Sequence, residues 1–165
     1  MSDLQRRRDT LVWAMSAIER FSRGVLRRPL RRYQLAPARA IIESVTWRLG
    51  LIFAVMMPRQ AGKNETAAQV EAFLLNYYRR MGGSIVKAAP TFRPQALNSL
   101  LRLEEVFRGS ALGALEREEG YMLRYGQARA LFFSGGREAN VVGATASLLL
   151  EGDEAQDLDA EVWNR

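Results

Sequence analysis

The chain has 165 residues, 48% of them hydrophobic, which suffices for one globular core. It holds neither Cys nor His, which excludes disulfides, Ser–His and Cys–His nucleophilic catalysis, and zinc sites built from thiolate or imidazole. Its formal net charge of +6 points to a polyanionic partner, nucleic acid before membrane.

The charge is unevenly placed and unusual in kind. Residues 1–60 carry twelve Arg against four acids, whereas residues 151–165 carry six acids against Arg165 alone. All but two of the 24 cationic side chains are Arg, the exceptions being Lys63 and Lys87. A planar guanidinium and a compact ammonium do not substitute freely at a phosphate site, so each Lys in this background asks for a reason.

In chain order, residues 3–26 place Leu4, Leu11, Met15, Ile18 and Val25 on one face of a basic amphipathic helix, broken by Arg27, Arg28 and Pro29. It reads equally as a helix docked on the domain and as a basic arm, so the chain divides into 1–29 and a domain over 30–165. The apolar run LVWAMSAI lacks a clear cleavage site, and the longest apolar run, Leu49 to Met57, is far short of the roughly 20 residues of a membrane span. A cytoplasmic protein with no membrane contact is expected.

Arg39 to Trp47 reads as a helix. LIFAVMM (51–57) has no polar interruption and predicts a strand buried on both faces. The loop PRQAG then leads into a helix from Lys63 to about Met81, with Val70, Phe73, Leu74, Tyr77 and Met81 along one side and Gly82–Gly83 as its stop. SIVKAA (84–89) predicts a second buried strand. Pro94 opens a helix with Leu97, Leu100, Leu101 and Phe107 inward and Gly109 at its end. YMLRY and ARALFF flank Gly126–Gln127 as a hairpin, a Gly-rich loop runs from Ser134 to Arg137, and LLLEG (148–152) is the last strand. Strands alternating with helices predict an α/β fold with a mostly parallel central sheet flanked by helices.

MPRQAGKN (57–64) therefore stands between a predicted strand and a helix, the context of a phosphate-binding loop. Backbone N–H groups and a helix N-terminus favour anions, Gly62 allows close approach, and Lys63 supplies a point charge. Met57 replaces the first Gly of G-x-x-x-x-G-K-[ST], and Asn64 replaces the hydroxyl that holds Mg²⁺, although an Asn carbonyl also ligates a hard cation. Alone, G-K-N reads equally as an ordinary strand–helix turn, and the scarcity of Lys tips it toward function.

LLLEGDEAQ (148–156) sets Asp153 and Glu154 at a strand's carboxyl end. In nucleotide hydrolysis one carboxylate holds Mg²⁺ and the other polarises the attacking water, roles that suit Asp153 and Glu154 respectively. An acidic helix start is the plainer alternative, since Asp157, Asp159 and Glu161 follow. Glu151 and Gly152 interrupt the apolar run just before the pair. In LRRYQ (30–34), the Gln34 amide has the donor and acceptor to pair with an adenine edge and Tyr33 a ring to stack on the base. By itself, Tyr33–Gln34 is more simply a polar helix start.

Taken together, Tyr33–Gln34, the R-Q-x-G-K loop at Arg59 to Lys63, KAAPT at 87–91 and DEAQ at 153–156 resemble, in order and spacing, the ATPase domain of phage large terminases. These are the motors that pump DNA into viral capsids. Loops of the form RQ-x-GKN are known in that family, so Asn64 counts toward the resemblance, which covers roughly residues 30–165. It implies a P-loop NTPase core of the ASCE, RecA-like type, incomplete at its C-terminus because the coupling motif, the rest of the sheet and the nuclease domain would follow. It further implies an Mg²⁺-dependent ATPase acting on double-stranded DNA in a homo-oligomeric ring, with portal and small terminase partners. Under it, Tyr33, Gln34, Arg59, Gln60, Ala61, Gly62, Lys63 and Asn64 bind the nucleotide. Arg59 senses the γ-phosphate, Asn64 and Asp153 serve Mg²⁺, and Glu154 activates water. The family's Arg–Gly before the catalytic Glu is replaced by Val142–Gly143, leaving Arg137 as the nearest arginine finger. Two alternatives stand beside this: a DEAD-like helicase or translocase, which the RQ-x-GKN loop disfavours, and a non-hydrolysing nucleotide-binding assembly module.

Overall fold

The computed structural model describes residues 18–135 and 145–158 as a mixed α/β fold. Its open sheet of five strands has helices packed against it. The strands are β1 (Gly83–Ala89), β2 (Glu116–Glu118), β3 (Met122–Tyr125), β4 (Ala128–Ser134) and β5 (Leu149–Gly152), in the order β2-β3-β4-β1-β5. β1 pairs in parallel with both β4 and β5, whereas β2, β3 and β4 form an antiparallel meander. The expected mostly parallel sheet is thus a mixed one. The three-residue β2 was not legible as a strand, because Glu-Arg-Glu has neither alternation nor β-favouring side chains.

The helices are α1 (Arg32–Thr46), α2 (Lys63–Tyr78) and α3 (Leu97–Arg108). α1 begins seven residues before the expected Arg39 and carries Pro37 within its first two turns. Its first turn is held by Gln34, whose Oε1 accepts the Arg31 amide at 2.8 Å, so the side chain reaches back over the orphan donors of the helix start.

The core is contributed by all three helices and one face of the sheet. Leu35, Ala38 and Ile42 of α1 meet Val70, Phe73 and Leu74 of α2; Leu100, Leu103, Val106 and Phe107 come from α3, and Ile85, Ala89, Ala130 and Phe132 from the sheet. Leu101, expected inside, is 44% exposed, and Leu103 takes the inward position. Tyr77 and Met81 of the predicted α2 stripe are also exposed; Met81 lies beyond the helix, which ends at Tyr78, and Tyr77 sits in its last turn.

The stretch 18–30 belongs to the same core. Ile18, Phe21 and Leu26 are buried, and the Phe21 ring meets Phe73 edge-on at 5.3 Å. Arg28 then spans two helices, with Nη1 3.2 Å from Glu65 and Nη2 2.5 Å from Glu105. Leu4, Leu11 and Met15 of the expected N-terminal helix lie outside the described residues, as do Arg137 and Val142–Gly143.

The hairpin forms as expected, with Tyr125 opposite Ala128 and Gly126 at φ 61°. A Cβ at Gly126 would lie 2.5 Å from the Arg79 carbonyl, so the turn needs glycine both for its backbone and for this approach.

The larger correction concerns LIFAVMM. Residues 51–57 form no strand, and Ile52 and Met56 are 99% and 95% exposed. β1, β3 and β4 are paired on both edges, which leaves only the outer edges of β2 and β5, and the segment pairs at neither. An apolar run reports what a strand would bury, and burial also needs a free edge in register and a second layer.

Candidate functional site

The loop Pro58–Gly62 is built by backbone geometry before any side chain is placed. The Ala61 amide donates to the Pro58 carbonyl at 3.1 Å, and Gln60 and Gly62 both adopt left-handed backbone, at φ 61° and 81°. Gly62 caps the N-terminus of α2, and its carbonyl accepts the Thr66 amide at 2.9 Å and the Thr66 hydroxyl at 3.0 Å. A Cβ on Gly62 would lie 2.6 Å from Gln34 Nε2, so a side chain there would have to displace the Gln34 amide from the loop.

Tyr33 and Gln34 lie against this loop, on its backbone. Gln34 Nε2 donates to the Ala61 and Gly62 carbonyls at 3.2 and 3.3 Å, and the Tyr33 hydroxyl donates to Ala61 at 2.9 Å. With Oε1 on the Arg31 amide, the Gln34 side chain uses both its donor group and its acceptor inside the protein, and the residue is buried. Tyr33 and Gln34 therefore clamp the loop to the first turn of α1.

At the loop's end, Lys63 opens α2 and meets both carboxylates of the acidic pair. Its Nζ lies 2.8 Å from Asp153 Oδ1 and 2.7 Å from Glu154 Oε1. Asp153 continues the β1–β5 ladder by donating its amide to the Ala88 carbonyl at 2.8 Å, and its side chain is nearly buried. Glu154 sits in left-handed backbone at φ 50°, which turns the chain sharply at the strand end. Its amide donates to Asp153 Oδ1 at 3.1 Å, and Gln156 Nε2 donates to its Oε2 at 2.7 Å.

These contacts set the charge state. The Lys63 and Gln156 bonds, with Lys63 and Arg59 charge, hold the Glu154 carboxyl below its ordinary range. Partial burial disfavours the Lys63 ammonium, but the bonds to Asp153 and Glu154 outweigh it, so its pKa is raised. Arg59 is exposed in the turn beside Glu154, and Asn64 is exposed in the first turn of α2. Gln60 and Ala61 contribute backbone to the turn.

Among the described residues no group of three or more carboxylates gathers to hold a metal. Mg²⁺ needs no such cage, since it keeps several waters and is commonly held by one or two carboxylates plus substrate phosphates. Here Asp153 is the carboxylate, and Asn64, exposed in the first turn of α2, the amide that would have to meet that demand.

Behind the site lies a cluster that sequence reasoning left without a role. Lys87 of β1 is fully buried, with Nζ 2.9 Å from Glu71 Oε1 of α2 and 2.9 Å from Glu151 Oε1 of β5. Lys87 and Glu151 are direct partners in the parallel register. Their signal was present as two breaks in apolar strands, one in SIVKAA and one in LLLEG, though neither alone named the other.

Comparison of the chain with protein-family models, with curated proteins and with solved structures found no match.

Proposed function

We propose that this chain is an Mg²⁺-dependent ATP-binding and hydrolysing motor domain of the large-terminase type, acting on double-stranded DNA. The observation that carries the reading is the convergence of Lys63, Asp153 and Glu154 at the start of a helix and the end of a parallel strand. A cation and two carboxylates drawn from positions 63 and 153–154 are the groups that a phosphate, its Mg²⁺ and an attacking water require. The left-handed Gly62 and the helix N-terminus beneath it add an anion-favouring cradle.

In this reading Lys63 exchanges its carboxylate partners for the β- and γ-phosphate oxygens. Glu154, freed from Lys63, takes the proton of a water whose oxygen attacks the γ-phosphorus as the β–γ bridging bond breaks. Arg59, beside Glu154, faces the γ-phosphate. Asp153 and Asn64 would hold Mg²⁺, which would supply charge neutralisation at the phosphate oxygens when bound. The ring arrangement, the portal and small-terminase partners and a trans-acting Arg137 rest on the resemblance of the motifs. So does the P-loop identity of the fold, since the strand preceding the loop is absent from the sheet.

That absence favours one second reading, a nucleotide-binding module that does not turn over. The loop is fixed by Tyr33, Gln34 and α2 without a strand behind it, which suffices for binding a phosphate but places water less firmly.

Single-turnover hydrolysis separates the two. Glu154→Ala lowers the rate by about 100-fold or more if Glu154 is the general base, with and without double-stranded DNA. Equal rates in the two proteins contradict the role of Glu154.

A further inference from the structure

We infer that Lys87 is a positioning residue: its buried ammonium, bonded to Glu71 and Glu151, sets the separation between Lys63 and the Asp153–Glu154 pair. The inference rests on the phosphate-site reading above for its functional meaning, but its geometry is independent of it.

Three facts carry it. First, the cluster links the two elements that deliver the site. Glu71 lies two turns along the helix that begins with Lys63, and Glu151 lies two residues before Asp153 on β5. Lys87, on the strand between, holds one carboxylate on each side at the same 2.9 Å. Second, the link is costly to keep. Glu71 is fully buried with Oε2 lacking any hydrogen-bond partner, and Lys87 is 2% exposed. Well-packed apolar side chains in such a place are often at least as stabilising as a buried ion cluster, so bulk stability is a weak reason for it. Third, it is directional. Apolar packing is non-directional, whereas an ammonium hydrogen-bonded to the Glu71 carboxyl on one side and the Glu151 carboxylate on the other fixes a distance and a register.

Lys63 meets the same strand end from the loop side, through Asp153 and Glu154. Lys87 is thus the cation that sets the spacing from inside the fold, while Lys63 is the one that phosphate must engage.

The chain contains no Cys, so paired labels can be placed cleanly. In the full chain, nitroxides at Ala67→Cys and Ala155→Cys report the distance from α2 to the acidic turn. A second pair, Ala67→Cys and Asn98→Cys, reports the distance from α2 to α3 as a control. In Lys87→Met the first distribution widens, roughly doubling, while the control stays narrow. Mg–ATP affinity falls by about 10- to 100-fold alongside it. If Lys87→Met does not fold, Glu151→Gln, which keeps shape and removes charge, is read in the same way. Unchanged first distributions overturn the inference, and so does equal widening of both pairs, which would make Lys87 an ordinary core residue. A wild-type chain that binds no Mg–ATP contradicts the phosphate-site reading instead, while the distance measurement still decides the role of Lys87.

Discussion

Lys63 Nζ lies 2.7 Å from Glu154 Oε1, although 91 positions separate the two residues in the chain. With Asp153 at 2.8 Å on the same ammonium, the helix start and the strand end are closed on each other by charge. Any phosphate entering here competes with two carboxylates for one cation, and its binding releases the groups that Mg²⁺ and water would use.

The Lys63–Glu154 pair is partly exposed, so its worth is small. Glu154 has its pKa depressed in the folded chain, so its contribution is present above its unfolded value and lost as pH falls through the folded one. Lys63 has its pKa raised, so its share is lost only as pH rises beyond the ordinary lysine range. Glu154→Gln should therefore lower the melting temperature slightly at neutral pH, by the equivalent of no more than about 1 kcal/mol. The difference should vanish in acid, below the carboxylate range, and shrink at high salt.

The buried cluster gives an opposite pH signature. Burial, opposed by the charge of Lys87, pushes the Glu71 carboxyl from 4.5 up to about 8. The folded chain therefore binds more protons than the unfolded one between those values, so stability declines as pH rises from about 4.5 to about 8. One proton limits the slope to about 1.4 kcal/mol per pH unit. Urea unfolding across this range should show the decline in wild type and lose it in Glu71→Gln. A flat wild-type profile would contradict the protonation of Glu71.

Breaking the cluster is a separate matter from titrating it. Lys87→Met leaves Glu71 and Glu151 facing each other without a cation and should cost about 3–5 kcal/mol. Adding Glu71→Leu and Glu151→Leu should recover much of that stability, as read by denaturant midpoint.

Gly62 couples the loop to α1. Gly62→Ala puts a Cβ into left-handed backbone and 2.6 Å from Gln34 Nε2, so a loss of about 1–3 kcal/mol is expected. In a double-mutant cycle, Gln34→Ala should relieve the contact portion and leave the backbone portion. Additive effects would show that Gln34 does not hold the loop.

These sites separate what was legible in the sequence from what was not. Helix α2, strand β1 and the hairpin follow from periodicity and from Gly placement, because local pattern decides them. The pairing of Lys63 with Asp153–Glu154 could be anticipated only because each motif has a chemical job that needs the other. Lys87, Glu71 and Glu151 each stood out or passed unnoticed singly, since register across a parallel sheet is not written in either strand. LIFAVMM misled for the same reason: seven apolar residues specify a demand for burial, and the edges that could meet it belong to other segments.

That segment offers its own check. Ile52 and Met56 are almost fully exposed, so Ile52→Thr and Met56→Gln should each change stability by less than about 0.5 kcal/mol while reducing self-association in light scattering. A loss of several kcal/mol would mean that the segment is buried after all.

In the proposed reading Lys63 is a phosphate ligand held in reserve by Asp153 and Glu154. Isothermal titration of wild type and Lys63→Ala with ATP, in the presence and absence of Mg²⁺, tests it most directly. Mg²⁺-dependent binding by wild type is expected, with a loss of about 100-fold or more in Lys63→Ala, the size of a charge-assisted contact. No binding by the folded wild type, or equal affinity in the two proteins, would contradict it.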